Sequence, residues 1–159
     1  IIEKFREFAS NHLQINNFYN GRLSDFNTKE NLYPAMVIIP KQGQIGPRSI
    51  NLSFTIMIID VLDRSSENVD EVHSDTPLIL NDFFKYFSFN VDTFVIDSNN
   101  KVVEPFTEIL DDIIGGWAGT FSVEIPITNN CNMPMIESES IKDNDIVSDI
   151  IIKNLNELE

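Results

Sequence analysis

The densest carboxylate group in the sequence is Asp111–Asp112, with Glu108 one short step before it. Paired carboxylates can hold Mg²⁺ or divide the acid and base roles of a hydrolysis. In a strand, however, neighbouring side chains point to opposite faces, so an adjacent pair does not converge. A polar turn ahead of Gly115–Gly116 is the expected reading. A second acidic stretch runs through Asp60, Asp63, Glu67, Asp70, Glu71, His73 and Asp75. It lacks the mid-loop glycine and the closing glutamate spacing of a calcium loop, and reads as a solvated loop and helix cap. His12 and His73 are the only two histidines. Neither stands in a zinc or nucleophile-elbow pattern. The run Gly115–Gly119 lacks the lysine and the following helix of a phosphate loop. Cys131 is the single cysteine, so no intrachain disulfide can form, and a buried inert thiol is expected. No catalytic, metal or cofactor set is therefore expected, and the chain reads as a structural or interaction protein, not an enzyme.

Charge sharpens that reading. The chain has 159 residues, 42% of them hydrophobic, with 12 Phe and a net charge of −14. This is enough for one domain with a packed core. A strongly acidic chain does not suit specific nucleic-acid binding, which needs clustered Lys and Arg, nor an anionic membrane surface. It does suit the wall of a path that DNA traverses without sticking. The charge is uneven: residues 1–50 are slightly basic and the remainder strongly acidic, a distribution that allows head-to-tail stacking of copies or simply a solvated acidic face. No apolar run reaches bilayer length and no signal-peptide pattern opens the sequence, so a reducing, soluble compartment is expected.

The elements that would carry these residues follow from periodicity. Ile1, Ile2, Phe5, Phe8 and Ala9 predict an amphipathic helix within residues 1–13. Residues 18–26, with the turn dipeptide Asn20–Gly21, predict a short strand or hairpin edge. Residues 33–40 form a β-rich run whose Pro34 and Pro40 suit strand ends or an edge strand, and 41–48, with Gly43, Gly46 and Pro47, read as a loop. Ile50, Leu52, Phe54, Ile56 and Ile58 alternate with polar residues and predict a strand. Met57 and Ile59 make its far end apolar on both faces, to be covered from both sides or to meet another subunit. Ser74 or Asp75 can cap a helix with Pro77 in its first turn and Leu80, Phe83, Phe84 and Phe87 on its core face. A start near Asn68 would put Pro77 in the interior, at a cost of about 3 kcal/mol. Residues 93–96 and 101–103 predict a hairpin around a polar turn, and 117–127 a second clear strand, with Gly115–Gly116 allowing a bulge or a close backbone approach. Residues 1–135 make one α+β domain. An acidic joint and a C-terminal amphipathic helix or arm occupy 136–159.

Taken in order, the strand Phe54–Ile59, Asp60–Asp63, the acidic segment with Glu67, Asp70 and Ser74–Asp75, a helix, Pro105–Glu108, Asp111–Asp112, Gly116–Trp117, the strand Phe121–Ile127 and Cys131–Pro134 form a recognisable succession. Over residues 33–135 it resembles small neck or tail-completion proteins of tailed bacteriophages, in particular the crAss-like phages of Bacteroidetes. The resemblance implies a tail-terminator-like fold: a mostly antiparallel sheet, one or two packed helices and helical arms. It implies a virion subunit assembled in the bacterial cytoplasm as a homo-oligomeric ring of twelve or six copies. Portal or adaptor and tail proteins would be its neighbours, and DNA would pass through the lumen. It offers no catalytic residues to carry over. The residues expected to meet neighbours are Ile1, Phe5 and Phe8 of the N-terminal helix, Met57 and Ile59 of the two-sided strand, and Ile146, Ile150, Ile151, Leu155 and Leu158 of the C-terminal stripe. The alternative is a soluble adaptor that binds a protein partner through that C-terminal helix.

Overall fold

Alternating apolar and polar side chains build the centre of the molecule. The computed structural model describes residues 1–26, 31–63, 65, 67–89, 93–96, 101–109 and 112–127, all within the unit Ile1–Thr128. The fold is α+β: a curled, mostly antiparallel six-stranded sheet with two helices. Strand β3 (Ser49–Val61) pairs antiparallel with β6 (Ile113–Pro126) in unbroken register from Ser49↔Pro126 to Val61↔Ile114. On the other side of β3 lies β2 (Ala35–Ile45), also antiparallel, and outside it β1 (Asn17–Asn20), which runs parallel to β2. The free edge of β6 receives β4 (Val95–Ile96) and β5 (Val102–Ile109), both antiparallel.

The two faces of the sheet carry different cores. One holds Met36, Ile38, Phe54, Ile56, Ile58, Phe121 and Val123, covered by α1 (Ile2–Asn11) and α2 (Val69–Phe89). At its centre sits Phe5, fully buried. Its ring centroid lies 5.2 Å from that of Phe87, 5.4 Å from Phe83, 5.6 Å from Phe54 and 5.8 Å from Phe121. Edge-to-face packing of this kind adds about 0.5–1.5 kcal/mol per pair beyond area burial. The other face packs Ala35, Val37, Met57, Ile59 and Ile114 against Phe26. β3 is thus covered on both sides at its Met57–Ile59 end, by its own chain.

Four expectations are corrected. Residues 18–26 supply the short strand, β1, but no hairpin: β1 pairs with β2 in parallel, and the chain then turns through a short 3₁₀ segment, Leu23–Asp25. Residues 41–48 are not all loop, because β2 continues to Ile45 opposite Ile50, with an irregularity in register between Pro40 and Gly43. The segments 93–96 and 101–103 do not pair with each other; both lie along β6. Finally, α2 begins at Val69, not near Ser74, and carries Pro77 in its interior.

The early helix start has two visible causes. Asn68 accepts the Val72 N–H on its carbonyl (3.0 Å) while its side chain donates to the Val61 carbonyl (2.9 Å) and accepts the Asp63 N–H (2.8 Å). The end of β3 and the start of α2 are thereby tied together. Further along, proline at 77 has no N–H to give the carbonyl of His73, one helical turn back. The indole Nε1 of Trp117 on β6 donates to that carbonyl at 3.1 Å. A part-buried acceptor that proline would orphan is satisfied from the sheet.

Gly116 explains the glycine pair before the central strand. It has φ of +150°, and a Cβ there would lie 2.0 Å from the Ile58 carbonyl oxygen. This is the close backbone approach expected of Gly115–Gly116.

Candidate assembly surface

The residues with the chemistry to act are dispersed over the fold. Asp60, at the end of β3, is the best placed of them. With Glu71 and Asp75 of α2, Asn68 and Gln14, it lines a cavity of about 250 Å³. Its carboxyl is held above the usual carboxylate range, chiefly by burial and further by Glu71 and Asp75, against the lowering effect of the Val61 N–H. That N–H donates to Asp60 Oδ1 at 2.8 Å. Tyr33 stands close by, its phenol pushed up to about 12 by burial, then by Asp112 and Asp60. The cavity is acidic, with no Lys or Arg among its described lining residues.

The two histidines are not brought together. His12 Nε2 lies 3.6 Å from Asp82 on α2, and its Nδ1 accepts the Gln14 N–H at 3.3 Å. His73 sits edge-on to Trp117, with ring centroids 6.5 Å apart. Among the described residues, no three His, Cys, Asp or Glu side chains are grouped so that they could hold a metal ion. Asp111 and Cys131 lie outside the described residues. Among the described residues, no helix is long and apolar enough to cross a membrane.

The expected interface residues divide into three groups. Phe5, Phe8, Met57 and Ile59 are buried in the chain's own two cores. α1 is therefore a core element, not a free arm, because its apolar stripe is what closes the aromatic cluster. Ile1 is partly buried against the same core. Ile146, Ile150, Ile151, Leu155 and Leu158, with the whole of 136–159, lie outside the described residues.

Other surfaces are open. Between α2 and β5 runs a groove of about 600 Å³ lined by Leu80, Phe84, Phe89 and Val103 and flanked by Lys85 and Lys101. Lys101 Nζ stands 4.4 Å from the Phe84 ring centroid. Beyond Ile39 the β2–β3 hairpin continues as an arm whose outer strand is exposed, while Leu52 of β3 still packs against the core. From Pro40 to Ile45 every residue of β2 is exposed, and Ile45 near the tip is 80% exposed. The arm is held by backbone pairing: Gly43↔Leu52, Gln44↔Asn51 and Ile45↔Ile50, with the Gly46 N–H donating to Ser49 (2.9 Å) and the Ile127 N–H to Arg48 (2.8 Å). One of its faces is polar and carries Glu124 of β6, paired with Asn51. Ser53 and Ser122 hydroxyls meet at 3.2 Å and Thr55 and Thr120 at 3.4 Å. Beyond them a shallow polar hollow is lined by Gln42, Gln44 and Asn51.

Sequence reasoning missed this arm because periodicity reports burial. A strand that is wet on both faces shows no alternation. One signal was present: residues 31–59 hold Lys41 and Arg48 and no acidic residue. In comparisons with known proteins, no family model and no curated protein matches this chain.

Proposed function

We propose that this chain is a structural subunit of a bacteriophage head–tail neck. It forms a ring of twelve or six copies between portal and tail, with DNA passing through the lumen, and its role is mechanical instead of catalytic. The observation that carries the reading is the β2–β3 arm, a firmly paired hairpin whose outer strand is exposed from Pro40 to Ile45. The resemblance over residues 33–135 supports the same reading, as does the net charge of −14. Acidic walls repel phosphates and let a genome slide. Ring subunits meet through unlike surfaces that close on themselves, and this chain has unlike surfaces, a basic arm and acidic flanks.

The test is quantitative mass spectrometry of purified source-phage particles, with the portal subunit as internal standard. A ratio to portal near one or near one half is expected. Absence from the particle, with abundant protein in the soluble lysate, would overturn the reading.

A further inference from the structure

The β2–β3 arm also carries a charge of its own. Lys41 and Arg48 are exposed near its end, and no acidic residue lies between positions 31 and 59. The surface of α2 is the opposite, with Asp70, Glu71, Asp75 and Asp82 all exposed. Two copies can meet in three ways through these surfaces. Arm against arm opposes cations, and helix against helix opposes carboxylates. Only arm against helix attracts, so a contact between copies through these surfaces pairs unlike ones.

The sheet edges point the same way. The edge of β2 beyond Ile38, where β1 has ended, carries Pro40, and the outer strand β5 carries Pro105. Proline offers no N–H to a neighbouring strand, so pairing from copy to copy is hindered along the stretches that hold Pro40 and Pro105. Contact through arm side chains remains. Its polar face, with Asn51, Ser53 and Ser122, carries the carboxylate of Glu124, which the arm's two cations outnumber.

We propose that the β2–β3 arm of one copy docks on the acidic surface of α2 of the next, with Lys41 and Arg48 facing Glu71 and Asp75. This rests on the ring reading and supplies its subunit contact. Glu71 and Asp75 stand one helical turn apart on one face, so both can meet the same arm.

The experiment is sedimentation equilibrium of the full chain at about 50 mM and about 500 mM salt, a change that shortens the screening length several-fold. Circular dichroism verifies that each variant is folded. Wild type is expected to associate, with affinity falling about tenfold or more at the higher salt. K41E/R48E alone and E71K/D75K alone are expected to be monomeric. Mixed in equal amounts they are expected to associate again, because every arm then faces a surface of opposite sign. Association of either variant like wild type would overturn the arm contact, as would failure of two folded variants to associate on mixing, or a wild type that stays monomeric throughout. Particle composition is measured independently, so a neck protein that assembles through a different surface is told apart from a protein that is not in the neck.

Discussion

The indole that completes a proline-interrupted helix makes a testable pair. Trp117→Phe keeps a ring on β6 but removes the N–H that reaches the His73 carbonyl at 3.1 Å. With Pro77 in place, no helical N–H can replace it. An acceptor left without its partner costs about 1–3 kcal/mol. Pro77→Ala supplies a backbone N–H one turn along, able to donate to the same carbonyl. In that background the loss of the indole donor should matter less, and the remaining cost of Trp117→Phe is lost packing alone. The double-mutant cycle over Pro77 and Trp117 should therefore show a coupling of about 1–2 kcal/mol, within the range of residues sharing one network. Urea unfolding of the four proteins, followed by far-ultraviolet circular dichroism, measures it. Fluorescence is unsuitable because Trp117 is the only tryptophan. Additivity within about 0.5 kcal/mol would refute the claim that the two residues serve one carbonyl.

Other outcomes follow from packing and charge. Phe5→Ala opens a cavity in the middle of the aromatic cluster and should cost about 3–5 kcal/mol in urea unfolding, whereas Ile45→Ala on the arm should stay within about 0.5 kcal/mol. Equal effects of the two would contradict the assignment of α1 to the core. Gly116→Ala places a Cβ 2.0 Å from the Ile58 carbonyl oxygen in backbone that cannot retreat, so soluble folded protein should be largely lost; a well-folded variant with an unchanged urea midpoint would contradict the close approach. For Asp60 the folded carboxyl is raised, so the folded state favours the protonated form. Its contribution is fully present below the ordinary carboxylate value and is lost as pH rises through the raised one. Asp60→Asn, which can still accept the Val61 N–H, should raise the urea midpoint at neutral pH, and the gain should vanish in acid. A gain that persists unchanged at low pH would place the effect elsewhere.

How much of this was legible depended on where each signal originates. Side-chain alternation wrote the central strands plainly, because Leu52 to Ile58 and Trp117 to Ile125 each line one core face. The two-sided end at Met57 and Ile59 was equally legible as burial, but not who does the burying. Phe26, Ala35, Val37 and Ile114 cover it, and they come from three other stretches of chain. The Asn20–Gly21 dipeptide suggested a hairpin because turn chemistry is local. The pairing that formed joins Asn17 to Ala35 in parallel, and local sequence holds no record of it.

The sequence by itself determined the fold class, the burial faces and the position of the close glycine, since each follows from the chemistry of residues near one another in the chain. Only the tertiary structure decided the start of α2, the role of Phe5 as a core residue and the existence of the arm. In each case the deciding partner is distant in sequence. Trp117 satisfies a carbonyl that Pro77 leaves open, five other rings surround Phe5, and β3 holds Pro40–Ile45 extended through backbone pairing that no side-chain pattern announces.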